Sequence, residues 1–139
     1  MPGGWPKEGT APRFLAMIDH VSVYVDDIEA AKAFYVKALA PLGYTVIREF
    51  AGAAIGMGVA PKPDLWIIKG PVRPGQHIAI RAGGRAAVRA FYDEALAAGG
   101  KDNGPPGVRA HYHPDYFGAF VHDPSGNNLE ACCHDRYIE

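Results

Sequence analysis

Two stretches of this chain, "HVSVYVDDIEAAKAFYVKALAPLG" at residues 20–43 and "HIAIRAGGRAAVRAFYDEALAAGG" at residues 77–100, align without a gap. Nine of the 24 aligned positions are identical, including the opening histidine and a Phe-Tyr pair near the middle. A repeat of this length is typical of a fold built from copies of one supersecondary unit. The repeat therefore decides how the rest of the sequence is interpreted.

Each copy begins with a strand pattern and continues with a helix pattern. In the first copy, valines alternate with other residues over positions 20–25, which predicts a strand with one buried face. Apolar residues then recur at helical spacing over positions 28–39, and over positions 88–96 in the second copy. Asp27 is the predicted N-cap of the first helix, and glycines follow both helix patterns.

Further strand candidates follow each helix. The first copy offers "YTVIREF", "AAIGMGV" and "DLWIIKG"; the second offers a weaker candidate near Lys101, then "YFGAFVH" and "NLEACCH". We therefore predict an α+β fold of two tandem βαβββ modules. The predicted organisation is a flexible Pro/Gly-rich N-terminal extension at residues 1–16 and a single domain at 17–139, with modules at 17–70 and 77–134 and a linker at 71–76.

The bulk composition is that of an ordinary globular chain. Its 139 residues suit one domain that can bury a core without disulfides. The formal net charge of -1 gives no reason to expect a nucleic-acid or membrane partner. The only two cysteines, Cys132 and Cys133, are adjacent, where a mutual disulfide is strained. With no signal-peptide pattern at the N-terminus, we predict a cytoplasmic protein.

A second signal lies in "DPSGNNLE" at residues 123–130. Together with the repeat, "IDHV" at 18–21 and "HIAI" at 77–80, it resembles the vicinal oxygen chelate superfamily, which includes glyoxalase I, extradiol dioxygenases, fosfomycin-resistance transferases and bleomycin-resistance proteins. The resemblance covers residues 17–134. It implies a cupped, partly open mixed β-barrel with the helices outside, and a homodimer as the expected assembly. It implies less about activity, because one fold hosts many functions.

The resemblance also implies a metal site with ligands on the first and last strands of each module. Carried onto this chain, three of those positions are His20, His77 and Glu130, whereas the fourth is Trp66, which cannot bind a metal. The repeat adds independent support, because His20 and His77 are equivalent in the two copies. Two imidazoles and a carboxylate suit Fe, Mn, Ni or Zn, with positions left open for water or substrate oxygens.

A simpler interpretation stays open at this stage. In it, both histidines are ordinary strand residues and Glu130 pairs with Arg81 or Lys69, since buried carboxylates are rarely left unpaired. The superfamily also contains metal-free members. Residues other than His20, His77 and Glu130 do not distinguish between the two interpretations.

The end of the chain, "HDPSGNNLEACCH", crowds histidines and cysteines together. A local zinc site is disfavoured, because adjacent cysteines on a strand point to opposite sides, whereas structural zinc sites space paired cysteines by about two to four residues. Cys132 shares the face of Glu130 and is expected in the substrate pocket, whereas Cys133 is expected in the core.

Other candidates lie upstream. His113 and Tyr116 are predicted to act as acid, base or substrate contact, because a loop just before a strand is where such groups are often found. Gly118 is expected to leave room for a ligand, and Trp66 and Phe120 are expected to line the pocket. The alternative for this loop is a polar surface stabilised by Pro114.

These observations favour a divalent-metal-dependent enzyme, a lyase or isomerase, dioxygenase or transferase, acting on a small oxygenated molecule through chelation of two oxygens. The tryptophan at position 66 argues against glyoxalase I activity, which needs a carboxylate there. The "HYHPDYFGAF" segment argues against fosfomycin transfer, because it lacks the serine-rich loop of those transferases. The alternative is a metal-free protein that binds or sequesters a small molecule, like the bleomycin-resistance proteins.

Overall fold

The computed structural model describes residues 17–134, and the predicted extension at residues 1–16 lies outside the described residues. The order β-α-β-β-β occurs twice, with one additional short strand in the second half, which confirms the predicted α+β class and tandem arrangement. The first half consists of β1 (Val21–Val25), α1 (Ile28–Leu39), β2 (Thr45–Phe50), β3 (Ala54–Gly58) and β4 (Leu65–Lys69). The second consists of β5 (His77–Arg81), α2 (Arg85–Ala97), β6 (Lys101–Asp102), β7 (Gly107–Val108), β8 (Phe117–His122) and β9 (Asn128–Cys133).

Each half forms its own mixed sheet. The strand order is β1-β4-β3-β2 in the first and β5-β9-β8-β6 in the second, where β7 also pairs with β8. The first strand of each half runs parallel to the last, and the remaining pairs are antiparallel. Within residues 17–134, strand pairing does not join the two sheets into a closed barrel, and β1 and β5 are edge strands.

The helices cover one face of the sheets. The Asp27 carboxylate accepts a hydrogen bond from the Ala30 amide at 3.0 Å, which confirms the predicted N-cap. After α1, a short 3-10 turn ends at Gly43, whose φ of 82° is in the left-handed region that favours glycine. The two helices pack on each other and on a shared apolar core. Its largest buried side chains include Phe34, Tyr35, Leu39, Ile67, Phe91 and Leu129.

Strand alternation decides which residues face the other side. Leu65 and Ile67 are buried in the core, so Trp66 between them points to the open face of the first sheet. Leu129 and Ala131 are likewise buried in the core, so Glu130 points to the open face of the second sheet. The open faces therefore carry the candidate site residues.

The "DPSG" turn connects β8 to β9 and fixes where β9 begins. The Gly126 amide donates to the Asp123 carbonyl at 2.8 Å, and the Asp123 carboxylate accepts from the amides of Ser125 and Asn127. The Tyr35 hydroxyl of α1 donates to the same carboxylate at 2.7 Å, which links the two halves. No helix in the described part of the chain is long and apolar enough to cross a membrane.

Candidate functional site

The open face of the second sheet brings together residues that are far apart in sequence. In the parallel register of β5 and β9, Ala79 lies opposite Glu130, and His77 lies two residues before it on the same face. In the antiparallel register of β8 and β9, Phe120 lies opposite Glu130, and Tyr116 comes just before β8. Three strands thus converge on one carboxylate.

Glu130 is almost completely buried, with 3% of its side chain exposed, but both of its oxygens have partners. Its Oε1 lies 2.9 Å from Nε2 of His77, and its Oε2 accepts a hydrogen bond from the hydroxyl of Tyr116. A buried carboxylate without such partners would be strongly destabilising. Glu130 therefore contacts two of the predicted site residues, His77 and Tyr116.

Both ring nitrogens of His77 face acceptors. Nδ1 lies 3.3 Å from the backbone carbonyl of Asn128, and Nε2 lies 2.9 Å from Oε1 of Glu130. With the proton on Nε2, the ring donates to Glu130. With the proton on Nδ1, the ring donates to the carbonyl and leaves the lone pair of Nε2 available to a metal ion. A metal-binding histidine typically donates its other N–H to a carbonyl in this way.

Tyr116 keeps its proton in this environment. Burial, with the hydrogen bond to Glu130 and the neighbouring Cys132 as further causes, raises the pKa of the Tyr116 hydroxyl far above its usual range. Burial also raises the pKa of the Cys132 thiol. At neutral pH the tyrosine is a neutral hydrogen-bond donor and the cysteine is a thiol, so neither group is a ready nucleophile or base.

Gly118 does not leave the open space that the sequence predicts. A Cβ atom at this position would lie 3.1 Å from the Tyr116 ring and 3.3 Å from Oε2 of Glu130. The glycine therefore makes room for the Tyr116–Glu130 pair and not for a ligand. The expectation of a ligand space at Gly118 was wrong because the neighbouring tyrosine fills it.

Access to the site is through His77. Its side chain is 42% exposed, and it borders a cleft of about 510 Å³ between β5 and apolar residues of the first half such as Val21 and Leu65. It also borders a smaller cleft of about 290 Å³ under the linker. The ring of Phe120 is stacked on His77, with 6.1 Å between the ring centres. Its role in lining a substrate pocket stays a prediction.

His20, the remaining predicted ligand, is placed differently. Its side chain is 54% exposed and its Nδ1 lies 2.7 Å from the carboxylate of Asp19. Among residues 17–134, no group of three or more His, Cys, Asp or Glu side chains is arranged to hold a metal ion. The described chain thus joins two of the three predicted ligands, and the role of His20 as a ligand stays a prediction.

His113 belongs to a second cluster next to Tyr116. Its Nε2 lies 2.8 Å from Nδ1 of His134, and Nε2 of His134 lies 3.8 Å from Sγ of Cys132. The two histidine rings are stacked, and each meets the Tyr116 ring edge-on. The sequence had not paired His113 with His134, because the contact depends on how the loop before β8 folds back over the end of β9.

Trp66 lies in the first sheet and not beside Glu130. It occupies the position in β4 that Glu130 occupies in β9, and its ring centre is 6.1 Å from that of Phe50. No sequence signal had pointed to Phe50, which is an exposed residue of an edge strand.

The fold and this site define a class of protein. The family model of the Glyoxalase/Bleomycin resistance protein/Dioxygenase superfamily matches residues 17–131. This chain belongs to that superfamily. No curated protein matches it closely enough to count as a relative.

Solved structures support the same assignment of fold. A glyoxalase/bleomycin resistance protein from Albidiferax ferrireducens T118 is similar with a TM-score of 0.73 and 26% identity, over 86% of this chain and 100% of that chain. A glyoxalase-related enzyme from Fulvimarina pelagi has a TM-score of 0.66 and 18% identity, over 86% and 88% of the two chains. A lactoylglutathione lyase from Agrobacterium tumefaciens has a TM-score of 0.63 and 18% identity, over 86% and 95%. The similarity to the second and third of these structures, each at 18% identity, concerns the fold alone.

Proposed function

We propose that this chain is a divalent-metal-dependent enzyme that acts on a small molecule with two neighbouring oxygen atoms. The observation that carries the proposal is the facing pair of His77 Nε2 and Glu130 Oε1, 2.9 Å apart, with Nδ1 of the same ring directed at a carbonyl. In the tautomer with its proton on Nδ1, the Nε2 lone pair of His77 and the Glu130 carboxylate are two adjacent ligands that one divalent cation can bind. Fe, Mn, Ni and Zn all accept such ligands.

His77 and Glu130 would hold the metal, and His20 is the proposed third ligand. Because His20 does not join them among the described residues, we propose that a second copy of the chain supplies it. The exposed His20 and the exposed edge of β5 beside His77 are both accessible to such a copy. A homodimer with composite sites follows from this arrangement.

The remaining residues would position the metal ligands and exchange a proton with the substrate. When bound, a divalent metal would stabilise negative charge on substrate oxygens. The Tyr116 hydroxyl donates to Oε2 of Glu130 and so leaves Oε1 directed at His77. His113 lies beside Tyr116 and is the proposed acid or base, since its ring is in contact with the His134 ring at the loop surface. Phe120 covers one side of His77.

Titration calorimetry with Mn and Zn tests the ligand set. We expect wild-type protein to bind one ion per chain, and His77→Ala and His20→Ala each to lose it, whereas His111→Ala, an exposed loop control, binds as the wild type does. A His20→Ala variant that binds normally would contradict the role of His20.

Mixing the two defective variants tests whether the site is shared between chains. In a mixed dimer, one chain retains His77 and the other retains His20, so one of its two sites is complete. We expect refolded mixtures of His20→Ala and His77→Ala to regain part of the metal binding. No recovery, with mixed dimers demonstrated by mass spectrometry, would contradict a shared site.

A metal-free binding protein is the second candidate function. It is favoured by one observation, that Trp66 replaces a carboxylate on the first sheet and leaves an aromatic surface in its place. In that case, small-molecule binding is unchanged by chelator, and none of the four metals binds stoichiometrically.

A further inference from the structure

The open face of the first sheet presents an aromatic surface formed by Trp66 and Phe50. Trp66 is half-buried and Phe50 is 51% exposed, with their rings inclined by 31°. The guanidinium group of Arg48 lies 5.5 Å from the centre of the Phe50 ring. We refer to these three residues as the aromatic platform.

The position of the Trp66 indole depends on the glycine at residue 56. A Cβ atom at residue 56 would lie 2.8, 2.9 and 3.0 Å from Cη2, Cζ3 and Cζ2 of Trp66, closer than side-chain contacts allow. The backbone of Gly56 has no positive φ, so conformational freedom does not explain the glycine. The missing side chain lets the indole lie directly on β3.

The two sheets have equivalent faces with different chemistry. Trp66 pairs with Gly56 and Ser22, as Glu130 pairs with Phe120 and Ala79 on the corresponding strands. In the second sheet this position carries a buried carboxylate, and in the first it carries a large aromatic ring beside a cation. The repeat therefore places polar chemistry on one half and an aromatic surface on the other.

We propose that the aromatic platform binds the planar ring of an aromatic anion, such as an aromatic carboxylate or phenolate. Aromatic rings stack favourably on indole and phenyl faces. Arg48 supplies the charge complementarity that selects an anion over a cation. This ligand class names the substrate class of the proposed function. Binding of the ring to the platform does not depend on that function, and only the claim that substrate oxygens reach the metal rests on it.

Benzoate is the probe, because it has the ring and the charge and no oxygen besides those of its carboxylate. Cyclohexanecarboxylate has the same charge and a similar size without an aromatic face, and benzylamine is an aromatic cation. The signal is the indole N–H resonance of Trp66 in a nitrogen-15 NMR titration of metal-free protein. Trp66 is the only tryptophan besides Trp5, so a Trp5→Phe variant assigns it.

We expect benzoate to shift the Trp66 resonance and to bind at least about threefold more tightly than cyclohexanecarboxylate or benzylamine. Phe50→Leu and Arg48→Gln should each weaken benzoate binding by about threefold or more, whereas Lys37→Gln, a charge control on the opposite side of the sheet, should not. Phe50 and Arg48 are exposed, so these variants are expected to fold.

Gly56→Ala provides an independent variant. The new methyl group displaces the indole, so we expect the Trp66 resonance to move and benzoate binding to weaken while the circular dichroism spectrum is retained. Equal affinity for benzoate and cyclohexanecarboxylate, or equal benzoate binding in wild type and Phe50→Leu, would overturn the proposal. So would dissociation of a dimer by Phe50→Leu without any benzoate effect, because a second copy would then cover the platform.

The failure of this proposal is distinguishable from failure of the proposed metal site. His77→Ala should lose metal and retain benzoate binding to metal-free protein. Phe50→Leu should lose benzoate affinity and retain metal. Loss of benzoate binding in metal-free His77→Ala would place the ligand in the second sheet and overturn the platform.

Discussion

Replacement of Tyr116 by phenylalanine removes one hydroxyl from the candidate site and leaves the ring in place. In the wild type that hydroxyl donates to Oε2 of Glu130, whose side chain is only 3% exposed. The variant leaves this oxygen without its donor and without water to replace it. A hydrogen bond to a buried charged group contributes about 1.5 to 3 kcal/mol, so we expect the free energy of unfolding to fall by about that amount.

Urea unfolding measures this loss directly. The urea concentration at the midpoint of unfolding should fall. The slope of the unfolding free energy against urea concentration should stay unchanged, because the substitution alters an interaction and not the surface exposed on unfolding. For a domain of this size each kcal/mol corresponds to roughly 3 °C, so the melting temperature should fall by about 5 to 9 °C.

Tyr112→Phe is the matched control. Tyr112 is 56% exposed and its ring packs on that of Tyr116 at 4.8 Å, so its hydroxyl removal should change stability by less than about 0.5 kcal/mol. If Tyr116→Phe is as mild as Tyr112→Phe, the buried carboxylate does not depend on the tyrosine, and the role assigned to Tyr116 is refuted.

Three further predictions concern the scaffold. Asp27→Ala should cost about 1 kcal/mol in urea unfolding, and Asp27→Asn much less, because both Asp and Asn can cap α1; equal losses would contradict the cap. Burial, helped by Asp123, raises the pKa of Tyr35 well above its usual range, so the native state keeps a proton that the unfolded chain releases above about pH 10. Stability should therefore fall as pH rises beyond that point, and more steeply than in Tyr35→Phe; parallel profiles would contradict this. Cys132 and Cys133 are 5% and 0% exposed, so a thiol reagent should label them slowly until urea is added, and a rapid native burst would contradict their burial.

The fold was predictable because its signals are local and repeated. Alternating valines before a helix pattern capped by Asp27 specify a unit whose second copy has the same spacing, and the two copies predict the tandem βαβββ arrangement. The short strand β7 was not predicted, because its two residues lie in a segment rich in Pro and Gly that carries no strand pattern. Its pairing with β8 depends on the position of that strand and not on its own sequence.

The candidate site was predictable only in part. The repeat selected His77, and the resemblance added Glu130, and the two side chains are in contact. The partner of Nδ1 on His77 is a backbone carbonyl, which no side-chain pattern reveals. His20 has the same sequence signal as His77, yet in the structure it contacts Asp19. The repeat could not predict this difference, because equivalent positions in two copies can meet within one chain or between chains.

Gly56 illustrates a signal that sequence reasoning could have used. A glycine inside an apolar strand often marks a close approach by another group. Here the group is Trp66, which lies opposite in the neighbouring strand. Gly118 carries the same signal beside the Tyr116–Glu130 pair, so the two glycines mark the open faces that carry the candidate residues.

Elemental analysis of the purified protein tests the central claim most directly. The protein is prepared without chelator or nickel resin, and its Fe, Mn, Ni and Zn content is measured per chain beside that of His77→Ala. The proposed site predicts close to one divalent metal per wild-type chain, before or after incubation with these four ions, and its loss in the variant. A wild-type protein that takes up none of the four, or a His77→Ala variant that retains a full complement, would contradict it.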